Sequence, residues 1–177
     1  MSLCYLSRSL LDRIAPGQNS IEILGLSWVP RGDLKSVGKS SLVARVLCKR
    51  HNGLLSTLDE TASTFVDAIA LADSNLRSGD STNSRHEVSG RALERWCLKM
   101  LLGMLASGQL RAHEGPVLMP LELCRALLIE PGTIWPRARG LYFPIPTELV
   151  YHSASFECRP MSNPRTGEVL ALALAGC

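Results

Sequence analysis

The sequence predicts an α+β fold, and three of its features carry that reading. Apolar residues recur at helical spacing through the middle of the chain, from about residue 57 to residue 129. Shorter β-branched or alternating segments lie before and after that helical middle. Turn chemistry at Asn163-Pro-Arg-Thr-Gly167 then joins the last two segments as an antiparallel hairpin. Grouped strands beside grouped helices, without βαβ alternation, are the pattern of this class. A chain of 177 residues suits a single domain. With 46% hydrophobic and 20% charged residues it has the composition of a folded protein, which excludes disordered and fibrous classes.

Taken in order, Leu3 to Ile14 reads as a short amphipathic helix ended by Pro16-Gly17. Ile21 to Val29 alternates and is β-branched enough for a strand, stopped by Pro30-Arg-Gly32. Ser41 to Leu47 reads as a second strand, because Cys48-Lys-Arg-His-Asn-Gly53 after it has turn composition. Thr57-x-x-Glu60 has the form of a capping box, in which hydroxyl and carboxylate satisfy each other's backbone N–H groups. Leu58, Ala62, Phe65, Ile69 and Ala72 follow at helical spacing, so a helix is predicted over 57–76. Ser78 to Ser84 is a polar loop.

The fullest apolar stripe follows. Leu93, Trp96, Cys97, Met100, Leu101, Met104 and Leu105 define a central helix over 89–107, closed by Gly108. Pro120 opens a further helix over 120–129, with Leu121, Cys124, Leu127 and Leu128 facing inward until Pro131-Gly132. Gly140–Phe143, Leu149–Cys158 and Glu168–Ala173 read as C-terminal strands. The whole chain, 1–177, is read as one domain; an N-terminal part over 1–53 and a body over 54–177 are the alternative division.

The longest apolar run, Val169 to Cys177, is far shorter than the roughly 20 residues of a membrane span, so no membrane partner is expected. Charges interrupt the N-terminal apolar residues, unlike a secretory leader. The six cysteines are widely spaced and form no Cys-x-x-Cys, which suits reduced thiols and a cytoplasmic location. Cys97 and Cys124 fall on apolar helical stripes, where a free cysteine acts as a small hydrophobe.

The net charge of +3 by itself points to no partner, but its distribution is uneven. Between Arg31 and Arg50 stand Arg31, Lys35, Lys39, Arg45, Lys49 and Arg50 against Asp33 alone. Such a basic stretch is an electrostatic footprint for nucleic acid, or else a solvated face opposite an acidic partner. Within it, Gly32-Asp-Leu-Lys-Ser-Val-Gly-Lys-Ser-Ser approaches a phosphate loop, which requires four residues between the glycines. Here five intervene, and Asp33 stands where the spacing needs glycine, so Lys35 and Lys39 read as a solvated basic loop. No Gly-x-Ser-x-Gly elbow is present, and Cys158 stands too far along its strand from His152 to form a dyad.

One short motif carries metal chemistry. Cys48 and His51 have the Cys-x-x-His spacing that lets two side chains of one turn reach the same zinc ion. It supplies half a tetrahedral site; only Cys4 lies upstream, and His86 and His113 are the other candidates that the sequence offers. The stretch Val46-Leu-Cys-Lys-Arg-His-Asn-Gly-Leu-Leu-Ser-Thr-Leu-Asp59 resembles the second zinc-knuckle half of HNH-type nucleases. Leu93-Glu-Arg-Trp-Cys-Leu-Lys99 and Trp135…Gly140-Leu-Tyr are similar to segments of bacterial proteins that carry such a knuckle. The resemblance, over about 35–174, implies zinc ligation by Cys48 and His51, with Asn52 as the turn asparagine.

The chain also departs from that family. No histidine precedes His51 to activate water, and no Cys-x-x-Cys lies upstream, so HNH catalysis is not carried over. The expectation is a degenerate HNH-like protein that binds DNA or RNA, or another partner, without catalysis. Lys35, Lys39, Arg45, Lys49 and Arg50 would neutralise phosphates in a salt-dependent, sequence-tolerant way. Two alternatives stay open. One is a metal-dependent endonuclease whose missing ligands come from elsewhere or from a second chain. The other is a homo-oligomer pairing through a sheet edge at Leu170-Ala-Leu-Ala-Leu174.

Overall fold

In a computed structural model the described residues are 3–4, 8–23, 28–30, 32–44, 48–79, 85–108, 120–130, 132–135, 157–163, 165–166 and 169–175. They form five α-helices and three two-stranded antiparallel sheets, an α+β architecture. Strand β1 (Leu3–Cys4) pairs with β4 (Val43–Ala44), and β2 (Ser20–Ile23) pairs with β3 (Lys35–Gly38). Between them in sequence lies α1 (Arg8–Ile14). Helix α2 (Lys49–Leu54) leads into α3 (Ser56–Ser78), followed by α4 (Gly90–Ala106) and α5 (Leu121–Ile129). Strands β5 (Glu157–Ser162) and β6 (Val169–Ala175) close the described part.

Helix α1 packs on α3, α3 on α4, and α4 on α5. Their shared core is Leu10 and Leu11 of α1, Leu42 after the 3₁₀ turn, Leu55 ahead of α3, Leu58 and Ala62 of α3, and Leu93, Trp96, Met100 and Met104 of α4. Ile21 and Val37, directly opposite each other in the β2–β3 ladder, lean on the same core. This one cluster draws residues from both sides of position 53. Across the α1–α3 contact, Arg13 Nε donates to both carboxylate oxygens of Asp67 at 2.8 Å. Ser9 and Ser63 hydroxyls meet there at 3.3 Å.

Helix α4 begins where the sequence says. Ser89 is extended, and its hydroxyl accepts from the Ala92 N–H at 3.3 Å, satisfying one of the free donors of the first turn. Its last turn closes on Gly108 at φ 69°, a left-handed position that glycine takes without steric cost. Leu93, Trp96, Met100, Leu101 and Met104 are buried as the stripe requires, with Cys97 and Leu105 half-buried. In α5, Cys124 and Leu127 are buried and Leu128 is half-buried, but Leu121, expected to face inward, is 63% exposed.

Six expectations are corrected. Leu3–Cys4, read as the start of the first helix, is strand β1, because it pairs with Val43–Ala44, and α1 begins at Arg8. The strand read over Ile21–Val29 is Ser20–Ile23, the part that pairs with β3, and residues 28–30 are not strand. The residues read as a turn, Lys49 to Gly53, form a helix instead, with Asn52 N–H donating to Cys48 C=O at 2.9 Å. Asn52 is therefore a helical residue. The capping box does not form: α3 starts at Ser56 and Leu55 precedes it with no side-chain cap. The reason is continuity, since α2 runs into α3 and Leu55 N–H donates to His51 C=O at 3.1 Å across the joint. Of the strand expected over 41–47, Val43–Ala44 is strand, Ser41 instead ends a 3₁₀ turn at Lys39–Ser41, and residues 45–47 lie outside the described residues. The stretch read as a solvated basic loop is the strand β3, and Lys39 after it is buried.

At the C-terminal end the expected hairpin is present, in register from Glu157↔Ala175 to Met161↔Ala171, with a register shift before Ser162↔Val169. Arg165 N–H donates to Asn163 Oδ1 at 2.9 Å, the side-chain-to-backbone bond by which asparagine nucleates a turn. The strand expected over 140–143, and residues 149–156 of the next, lie outside the described residues. Among the described residues, no helix is long and apolar enough to cross a membrane.

Candidate functional site

The structure brings Cys48 and His51 together. Cys48 is the extended residue ahead of α2, at φ −72° and ψ 161°, and one helical turn returns position i+3 beside it. Cys48 Sγ and His51 Nδ1 are 3.1 Å apart, and both side chains are exposed. None of the six residues of α2 is buried, so Lys49 and Arg50 also stand in solvent. Neither forms an ion pair with a described residue. The turn is anchored at its far end, where Leu55 enters the core.

The other cations of the basic stretch do not join this face. Lys39, expected to meet phosphate, is 1% exposed, and its ammonium donates to Asp12 Oδ1 at 2.7 Å and Ala15 C=O at 2.8 Å. Hydrogen bonding from Lys39 first, then from Arg8, holds the Asp12 carboxyl below its ordinary value of 3.8. The near-phosphate-loop lysine thus ties the end of the β2–β3 hairpin to α1. Gly38 before it is extended, at φ −63° and ψ 137°, so no run of N–H groups curls around an anion there. Lys35 is exposed and lies 5.1 Å from the ring centre of Trp28, a cation–π contact across the hairpin. Arg31 and Arg45 lie outside the described residues.

A second buried lysine escaped the sequence reading. Lys99 of α4 is 5% exposed; its ammonium donates to Asp59 Oδ2 at 2.7 Å and to Leu55 C=O at 3.3 Å. It therefore clamps the α2–α3 joint onto the central helix. The signal was its position between Trp96 and Gly103 on the buried stripe, where a lysine needs a partner.

The donor set fits zinc in kind, and as two ligands only. Sulfur and imidazole nitrogen are the donors that zinc prefers, and Cys48 and His51 would hold it. Among the described residues no group of three or more His, Cys, Asp or Glu stands together. His86 is exposed in the segment before α4, His113 lies outside the described residues, and for Cys4 only the backbone pairing with Val43 is described.

Cys97 and Cys124 are packed into helices. Burial pushes the Cys97 thiol up to about 12, with the Glu94 carboxylate adding to it against a smaller opposing backbone hydrogen bond. Cys124 is buried in α5. Iodoacetamide is accordingly expected to alkylate Cys48 in the native protein well before Cys97 or Cys124, which need unfolding first. Peptide mass mapping over a labelling time course reads the order; equal native rates at Cys48 and Cys97 would contradict this packing.

No protein-family model matches the chain, and no match was found to a curated protein or to a solved structure.

Proposed function

We propose that this chain binds nucleic acid through the exposed face of α2, with Lys49 and Arg50 as its phosphate contacts. The observation that carries the reading is the α2 turn itself. It buries none of its own residues and presents two exposed cations, neither ion-paired with a described residue, on the same turn as His51 and Cys48. A helix contributing nothing to the core is one whose side chains are free for an external partner. The resemblance to an HNH-type knuckle, whose partner is DNA, supports the same reading. Phosphate contacts of this kind bind DNA or RNA with little sequence preference. The proposal assigns no catalysis.

Fluorescence anisotropy with labelled duplex and single-stranded oligonucleotides, across a salt series, tests it. Each lost phosphate contact on duplex DNA lowers the slope of log K against log salt by about 0.9. Lys49→Glu/Arg50→Glu should therefore flatten that slope by about 2 and weaken binding at low salt. Wild-type protein with no salt-dependent binding, or a double variant with an unchanged slope, would refute the proposal.

A further inference from the structure

We infer that the tip of the β2–β3 hairpin is a second nucleic-acid contact, where Trp28 stacks on a base of a single strand and Lys35 meets its phosphate. The inference takes its partner class from the proposed function and adds to it a second element and the form of nucleic acid bound.

Tryptophan is a residue that folding mostly hides, and Trp96 at 3% exposed follows that rule. Trp28 does not, at 41% exposed. The chain around it is well fixed. Val29 beside it is buried and roots the segment. Asp33 N–H then donates to Pro30 C=O at 3.1 Å, closing a turn whose third position, Gly32, takes φ 88°. That left-handed position is one glycine fills without steric cost. Strand β3 starts at Lys35, held in the ladder opposite Ile23. The indole is thus presented from a preset backbone, which lowers the ordering cost of binding.

Lys35 Nζ lies 5.1 Å from the centre of the Trp28 ring, so a cation and an aromatic face share one place. At an exposed site such a contact is weak, and the ammonium can exchange the ring for a phosphate at small cost. With Lys35 over one face, an incoming base has the other, or the first once the ammonium moves to phosphate. An aromatic ring for the base beside a cation for the backbone is how single-strand-binding surfaces are built. Bases of a duplex are already stacked on one another, so an unpaired strand is what offers a base to Trp28. A neutral ligand such as a sugar would use the ring and leave the ammonium without a role.

The experiment measures anisotropy of the full chain with a labelled single-stranded oligonucleotide, its duplex, and an abasic strand of equal length. Trp28→Ala should weaken single-strand binding about tenfold, with the salt slope unchanged, because stacking releases no counterions. Duplex and abasic binding should stay as in the wild type. Trp28→Phe, which keeps a ring, should retain most of the affinity and guards against a folding defect in the alanine variant. Lys35→Ala should lower the single-strand salt slope by about 0.7, the value of one phosphate contact. Unchanged single-strand affinity in Trp28→Ala, or an equal loss on all three ligands, would overturn the inference. So would a Trp28→Ala loss confined to phosphatidylserine vesicles, which would assign the tip to a membrane surface. Lys49→Glu/Arg50→Glu keeps Trp28, so the two readings fail separately. An unchanged slope there, beside Trp28-dependent single-strand binding, refutes the α2 reading alone; the reverse pattern refutes this one alone. Wild-type protein that binds no strand refutes both.

Discussion

Asp59→Ala is expected to destabilise the protein by about 3–5 kcal/mol, the range for removing one partner of a buried ion pair. The Lys99 ammonium is 5% exposed and its partners are Asp59 Oδ2 at 2.7 Å and the Leu55 carbonyl. Taking away the carboxylate leaves a buried cation with one neutral acceptor, and the lysine cannot turn out of the core without disturbing α4. The reciprocal change is milder. Lys99→Met keeps most of the volume, and the Asp59 it abandons is 20% exposed and within reach of water. Asp59→Leu/Lys99→Met removes both charges and should recover most of the loss, since apolar packing commonly replaces a buried pair at no cost. Urea unfolding of the three variants reads the ordering. Asp59→Ala no worse than Lys99→Met would show that the pair does not hold the α2–α3 joint.

Trp96→Ala should cost a similar amount, about 3–5 kcal/mol, for a different reason. Trp96 is 3% exposed in the core where α1, α3 and α4 meet, and truncation leaves a cavity that three helices cannot all collapse into. Against a total of roughly 5–15 kcal/mol for an ordinary domain, either substitution removes a large part of the stability. The urea midpoint should fall with the slope of the transition unchanged, as expected when native packing alone is lost. A shift below about 1 kcal/mol would mean that Trp96 is not central to the core. Trp96 lies in the core and not on the exposed α2 face. Where Trp96→Ala remains folded, nucleic-acid binding should follow the folded fraction and nothing else.

Legibility differed between the helices and the site. The α4 stripe is readable because seven apolar side chains at helical spacing admit one amphipathic arrangement, and Ser89 and Gly108 mark its ends by local chemistry. The Asn163 turn is readable for the same reason, since its hydrogen bond closes within two residues. The Cys48–His51 pairing also follows from local spacing, whether the segment is a turn or a helix. By contrast, Lys49-Arg-His-Asn-Gly53 has turn composition and is helical because α3 continues through Leu55, whose side chain the core holds.

What the sequence by itself determined, then, is the α+β class, the central helix and the local apposition of Cys48 and His51. Each depends on residues within a turn or two of one another. Only the tertiary structure decided which cations face outward. Lys39 and Lys49 look alike in the sequence, both flanked by small or polar residues in one basic stretch. Lys39 meets Asp12 and Ala15, more than twenty positions upstream, and is buried; Lys49 meets no described partner and stays in water. Lys99 and Asp59 come together across forty positions in the same way. Burial of a charge is set by long-range packing that brings a counter-charge to it, and no local pattern records that encounter.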